Sequence, residues 1–380
     1  MATTIPTMAD AISPPGELVI DLFAIQENWR RLSARAGATE TGAVVKADAY
    51  GLGVEEVAGA LWDAGAHRFY VAQTGEGLRV RELLPDATVV VLAPVLPEAL
   101  SVAWENKLVL TLNNPEALEH WRKINAWKGD ILPVMIHFDT GMTRLGFDVS
   151  EAAALWEGLS PIEAAGVVEV SSHLACADEP DHPANRSQLE RFQAATRGAP
   201  AHAIKSLANS SGIFLGAPFL HSGQRPGMAL YGLNPTPGRP NPMRRVVGLK
   251  GRILQTRRLQ RAESVGYGGT ATLPKGATVA TIAAGYADGL HRALSNRGAV
   301  WIGGHRAPVI GRVSMDLIAV DVSKLPEAML RTTQYAEILS DKQDADALAA
   351  GAGTIGYEIL TSLGGRYRRV YLLDEPESRS

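Results

Sequence analysis

The chain has 380 residues, too many for one ordinary core and enough for about two domains. Hydrophobic residues make up 46% and charged residues 20%, and 37 basic against 40 acidic side chains leave a formal charge of −3, a balance normal for a soluble globular protein. No basic excess points to nucleic acid and no lysine or arginine run to an anionic membrane, while a single cysteine, Cys176, excludes an intrachain disulfide and a cysteine metal cluster.

From the N-terminus, "MATTIPTMADAISPPG" has no basic n-region and no long apolar core. Residues 1–15 therefore read as a flexible tail rather than a signal peptide, and a cytoplasmic location is expected. The longest apolar run, "ATVVVLAPVL" (87–96), is far short of a membrane span. Short β-branched runs then alternate with helical patterns. The predicted strands are "AVVKA" (43–47), "RFYVA" (68–72), "TVVVLA" (88–93), "LVLTL" (108–112), "LPVMIHF" (132–138), "VVEVSSH" (167–173), "AIKSLA" (203–208) and "GMALYG" (227–232). Predicted helices between them include 21–36, where Leu22, Ile25, Trp29 and Leu32 recur at helical spacing, and 114–127.

Eight strand–helix pairs in about 230 residues predict an α/β chain with an N-terminal (β/α)8 TIM barrel over residues 16–240. An open doubly wound sheet is the alternative, since alternation alone does not show closure. The lack of G-x-G-x-x-G after the first strand weakens its dinucleotide-binding version. "PTPGRPNP" (235–242) reads as a linker. The runs beyond it, such as "ATVATIAAG" and "GAVWIGGHRAPVIG", are punctuated by Gly and Pro and predict a C-terminal, mainly β domain over 241–380.

Barrel enzymes carry catalytic groups at the C-terminal ends of strands. Lys46 falls there, where the apolar stretch "GAVVKADAYG" turns polar. A lysine in partly apolar surroundings has a lowered pKa, and its neutral amine can bond a carbonyl carbon. A snorkelling lysine at a strand end is the plainer alternative. After the seventh predicted strand, Asn209, Ser210, Ser211 and Gly212 look like a helix N-terminus, which is either a simple cap or a cradle for a phosphate. Before the eighth, Arg225 enters the barrel mouth and Gly227 allows a close backbone approach. Lysine, cradle and arginine together resemble a pyridoxal phosphate site.

Nine blocks carry a more specific resemblance: "VVKADAYG", "DTGMTRLGF", "SSHLACADE", "LANSSG", "RPGMALYG", "GYGGT", "GYADG", "GRVSMD" and "GYEIL". In this order, over more than 300 residues, the chain resembles the bacterial alanine racemases, pyridoxal phosphate enzymes of fold type III that interconvert L- and D-alanine and supply peptidoglycan synthesis. The resemblance implies that Lys46 carries the cofactor and is one of two catalytic bases, the one serving the D-face. Tyr267, from the other subunit of a homodimer, is the second. His173 orders the network around them. Arg225 faces the pyridine nitrogen. Tyr50, Asn209, Ser210, Gly227, Met228 and Tyr357 belong to the cofactor site, chiefly at its phosphate. Arg144 meets the cofactor's phenolic oxygen and the substrate carboxylate, the Met315 N–H takes the other carboxylate oxygen, and Tyr286 and Asp316 line the partner's side of the entrance. No metal is implied.

Two positions depart from the pattern. Many members carry a lysine two residues before the aspartate of "DTGM", often carbamylated into an anion that steadies the arginine; here it is His137. Leu52 replaces a commonly found histidine. A racemase acting on serine or larger side chains and a non-catalytic cofactor-homeostasis barrel are the competing readings. The second domain carrying Tyr267 and Met315 weighs against the latter.

Overall fold

The computed structural model describes residues 14–94 and 96–373. Residues 1–13 of the expected tail lie outside the described residues, and the carbonyl of Pro15 already accepts the N–H of Arg252 at 2.9 Å. The chain divides into two compact units, Leu22–Arg244 and the remainder, which begins again at Arg245.

In the first unit, parallel strands follow one another as Arg68–Val71, Thr88–Val91, Val109–Leu112, Val134–Asp139, Val167–Ser171, Ile204–Ser206 and Gly223–Gln224. The two ends of this order meet on one segment. Glu40–Thr41 pairs with Gly223–Gln224, and Ala43–Val44 pairs with Phe69 and Tyr70. Gly42 joins the halves and gives its N–H to Gln224 at 3.0 Å. A Cβ there would lie 2.6 Å from the Tyr70 ring, so the close approach requires glycine. The sheet therefore closes as the expected barrel, and the open sheet is excluded.

The eighth strand differs from expectation. It is Gly223–Gln224, while "GMALYG" forms a 3-10 turn at Met228–Tyr231. The apolar run is buried because it packs under the helix Leu22–Ala36, whose Asn28 side chain donates to the carbonyl of Leu230 at 3.2 Å. A buried run of this length does not by itself distinguish strand from turn.

The second unit is mainly β, as expected. Its eight-stranded sheet runs Thr278–Ala283, Leu317–Asp321, His305–Ile310, Ala299–Ile302, Tyr335–Leu339, Val247–Arg258, Gly16–Asp21, Arg368–Leu372, and Val247–Arg258 also pairs with Thr278–Ala283. Residues 16–21, which the expected bounds 16–240 place in the barrel domain, form a strand, Gly16–Asp21, that belongs to this sheet instead. Its alternation buries Leu18 and Ile20 completely. Among the described residues no helix is long and apolar enough to cross a membrane.

Candidate active site

Lys46 directly follows the first barrel strand, and the backbone after it takes an unusual course. Ala47, Asp48, Ala49 and Tyr50 all have left-handed φ, between 53° and 57°. Each such non-glycine residue costs about 1–2 kcal/mol, so the turn needs outside support. Glu76 supplies part of it. One carboxylate oxygen accepts the N–H of Ala47 at 2.7 Å, and the other accepts those of Ala72 at 2.7 Å and Gln73 at 3.1 Å. Asp48 accepts the N–H of Val54 at 2.9 Å. The Tyr50 ring stacks on Tyr231 at 4.5 Å, and the Tyr231 hydroxyl donates to the carbonyl of Val44 at 2.8 Å. The Lys46 amine is held below its ordinary pKa, first by burial and then by the charge of Arg144, against a smaller upward pull from Glu76. A fraction of it is then free as a base or nucleophile at lower pH than an exposed lysine allows.

The "LANSSG" loop is not a helix N-terminus but a short 3-10 turn at Gly212–Phe214, which Asn209 caps by accepting the N–H of Gly212 at 2.9 Å. Ser210 is buried, and its Oγ accepts the N–H groups of Gly227 at 3.0 Å and Ala229 at 3.2 Å. A Cβ on Gly227 would lie 2.4 Å from the Tyr50 hydroxyl. Tyr50, Ser210, Gly227 and the buried Met228 are thus brought together on one side of the mouth.

Arg225 is only 5% exposed. Its Nη1 donates to the Ser206 carbonyl at 2.7 Å and to the Ser206 hydroxyl, and its Nη2 donates to the Ser172 carbonyl. Among the described residues its Nε has no hydrogen-bond partner, leaving one donor for an acceptor. His173 and His137 are both pushed down to about 3, first by burial and then by the charges of Arg225 and Arg144. His137 Nδ1 lies 2.9 Å from the Ser171 hydroxyl. In the following loop, Asp139 accepts the N–H groups of Gly141, Met142 and Thr143 at 2.8, 2.9 and 3.1 Å. Burial raises its pKa, but these amides outweigh that and hold it below the ordinary value. Arg144 is exposed and makes no ion pair among the described residues.

The two histidines carry a stability prediction. The unfolded chain protonates them near 6.5, the folded chain only near about 3. The unfolded state therefore binds more protons throughout that window. Stability is full above 6.5 and falls as pH drops through it, by up to about 1.4 kcal/mol per pH unit for each histidine. Denaturation midpoints measured at about pH 7 and about pH 5 should differ less for His137→Asn than for the native chain. Equal losses would refute the assignment.

The remaining expected residues lie in the second unit. Tyr267 is 72% exposed on the turn Tyr267–Gly269, beside a hollow of about 300 Å³ that Arg312, Thr281 and Ser314 also line. Gly285 is pressed against the Met315 carbonyl, and the Tyr286 N–H donates to Ser314 at 3.0 Å, so "GYADG" and "GRVSMD" adjoin. Arg366 bonds Asp316 and Asp288, at 2.7 Å each at the closest, fixing the same loops. Tyr357 lies on the helix Gly356–Thr361. The expected residues thus fall into two sets, one per unit. Sequence reasoning missed Glu76, Tyr231 and Arg312. Only Glu76 left a trace, as the N3 acid of a capping box opened by Gln73.

Residues 20–235 match the family described as alanine racemase, N-terminal domain, and residues 246–371 match alanine racemase, C-terminal domain. The chain is 47% identical to an alanine racemase of Rhodospirillum rubrum over 93% of its own length and 95% of that protein's. It is 46% identical to a catabolic alanine racemase of Mesorhizobium japonicum, over 93% of each. Among solved structures, an alanine racemase of Bartonella henselae with covalently bound pyridoxal phosphate superposes with a TM-score of 0.88 at 36% identity, covering 94% of this chain and 99% of that one. A biosynthetic alanine racemase of Pseudomonas aeruginosa gives 0.86 at 35% identity, covering 95% and 99%.

Proposed function

Because this chain belongs to the alanine racemase family, we propose that its two residue sets form one site, with Lys46 and Tyr267 as proton-transferring bases on opposite faces of the substrate's α-carbon. The chain is a pyridoxal phosphate-dependent alanine racemase. The bound cofactor withdraws electrons from the α-carbon and so eases loss of its proton. The observation that carries the two-base reading is Lys46: its amine is depressed by burial and Arg144, the backbone just after it is held by Glu76, and on the same barrel mouth stands a buried arginine whose Nε has no partner among the described residues.

The chain's residues suit this cofactor. Lys46 offers the amine that holds it. Arg225 only donates, so its Nε would leave the ring nitrogen unprotonated and would limit how far the ring draws electrons. That restraint favours return of the proton to the α-carbon over protonation elsewhere. Tyr50, Ser210, Gly227 and Met228, with Tyr357, would hold the phosphate, and Asn209 shapes that loop. Arg144 takes one oxygen of the substrate carboxylate and the Met315 N–H the other. His173, kept neutral by burial, orients the hydrogen bonds next to Arg225. One base cannot reach both faces of a flattened carbon, so Tyr267 serves the L-face and Lys46 the D-face. As the resemblance implies, Tyr267, Tyr286, Met315 and Asp316 come from a second copy of the chain, which makes the working unit a homodimer. The D-alanine formed supplies peptidoglycan synthesis.

Circular dichroism of L-alanine, L-serine and L-lysine incubated with holoenzyme tests this function. Alanine should invert fastest. Faster serine or lysine would replace the reading with a broader racemase, and inversion of none would overturn it.

His137 adds an expectation. A neutral imidazole bonded to Ser171 supplies no negative charge beside Arg144. Activity should therefore be the same in degassed and bicarbonate-supplemented buffer. A loss on degassing that bicarbonate restores would contradict this.

A further inference from the structure

The interior of a (β/α)8 barrel is ordinarily filled by layers of branched apolar side chains. This one contains a column of charge. Glu169, on the sixth strand, is 0% exposed; Arg68 and Tyr70, on the second strand opposite, are 8% and 1% exposed. The Tyr70 hydroxyl donates to both Glu169 carboxylate oxygens at 3.0 Å, and Arg68 Nη1 donates to one at 3.3 Å. Arg68 Nε turns to Glu40 at 2.8 Å. At the upper end, Arg225 Nη1 lies 3.9 Å from Glu169.

Two buried guanidiniums therefore share one buried carboxylate. The three carbonyl and hydroxyl oxygens that Arg225 bonds shape its pose but carry no net charge. Among the described residues, Glu169 is the one anion paired with Arg225. A buried cation left without its counter-charge is strongly disfavoured and moves toward water or another acceptor.

We propose that Glu169 is a positioning residue for the racemisation site: tied across the barrel to Tyr70 and Arg68, it holds the Arg225 guanidinium so that Nε stays directed at the cofactor. This rests on the reading of Arg225 as the partner of the ring nitrogen.

The test is nitrogen-15 NMR of holoenzyme loaded with pyridoxal phosphate labelled at the ring nitrogen. Glu169→Gln keeps the shape and removes the charge. Its resonance should move away from the native position toward that of the free unprotonated ring, and kcat should fall about 10- to 100-fold, as for the loss of outer partners that orient a bound group, with KM for L-alanine unchanged. A native resonance in Glu169→Gln would overturn the proposal. Should that variant fail to fold, Glu169→Leu combined with Arg68→Met and Tyr70→Phe removes the cross-barrel group together and leaves no orphaned hydroxyl, an exchange buried pairs commonly tolerate. The resonance should again be displaced, and a native signal would overturn the proposal. Arg225→Ala separates the two claims. If it leaves the resonance unmoved, the reading of Arg225 itself fails; if it moves the resonance and neither Glu169 variant does, only the role of Glu169 fails.

Discussion

Replacing Lys46 with alanine should abolish inversion in both directions, by about 10⁴-fold or more, because the residue has two tasks. Its amine holds the cofactor, and once released it serves one face as a base; a positioned general base alone is worth about 10²- to 10⁴-fold. The left-handed turn that follows contributes through position. Four consecutive strained residues, held by Glu76 and Asp48, bring Tyr50 back over Gly227 while Lys46 stays at the strand end. Borohydride treatment of native holoenzyme should leave the cofactor's mass on the peptide containing Lys46, and the alanine variant should show none. Racemisation persisting in Lys46→Ala at more than a trace would sink the two-base reading.

Tyr267→Phe removes one hydroxyl from an exposed ring at the edge of the second unit. It should cost the fold little, since no described core contact is lost. Inversion should fall about 10²- to 10⁴-fold, the range for loss of one acid–base group. The variant also separates the faces. In deuterated buffer, Lys46 should still exchange the α-hydrogen of D-alanine without inverting it. The α-hydrogen of L-alanine should exchange far more slowly, because the base on its side is gone. Equal exchange from both enantiomers would place both proton transfers on a single group and refute the assignment.

Much of this was legible from residue order. The β-branched runs at regular spacing announced a barrel, and punctuation by Gly and Pro after residue 240 announced a mainly β domain. The ordered blocks singled out Lys46, Arg225 and Tyr267, because reactive groups at strand ends and close-approach glycines leave local signatures. Other features left no such trace. "GMALYG" was misread because a short buried apolar run looks alike in a strand and in a turn packed beneath a helix. "LANSSG" suggested a helix cap, yet the Ser210 hydroxyl is engaged by amides from another strand's loop. The left-handed turn left no signature, since Ala47, Ala49 and Tyr50 are not residues that favour that conformation and Asp48 alone tolerates it only as a single residue.

By itself, then, the sequence determined the class of fold, the family and the residue types available for proton transfer, all of which depend on local pattern and composition. Tertiary structure decided closure at Gly42, the transfer of Gly16–Asp21 to the second sheet, the Glu76 clamp and the Glu169 column. Each of these joins residues distant in the chain, in the last case by about 100 positions. Periodicity reports which face of a segment is buried; it carries no information about which distant side chain will meet it there.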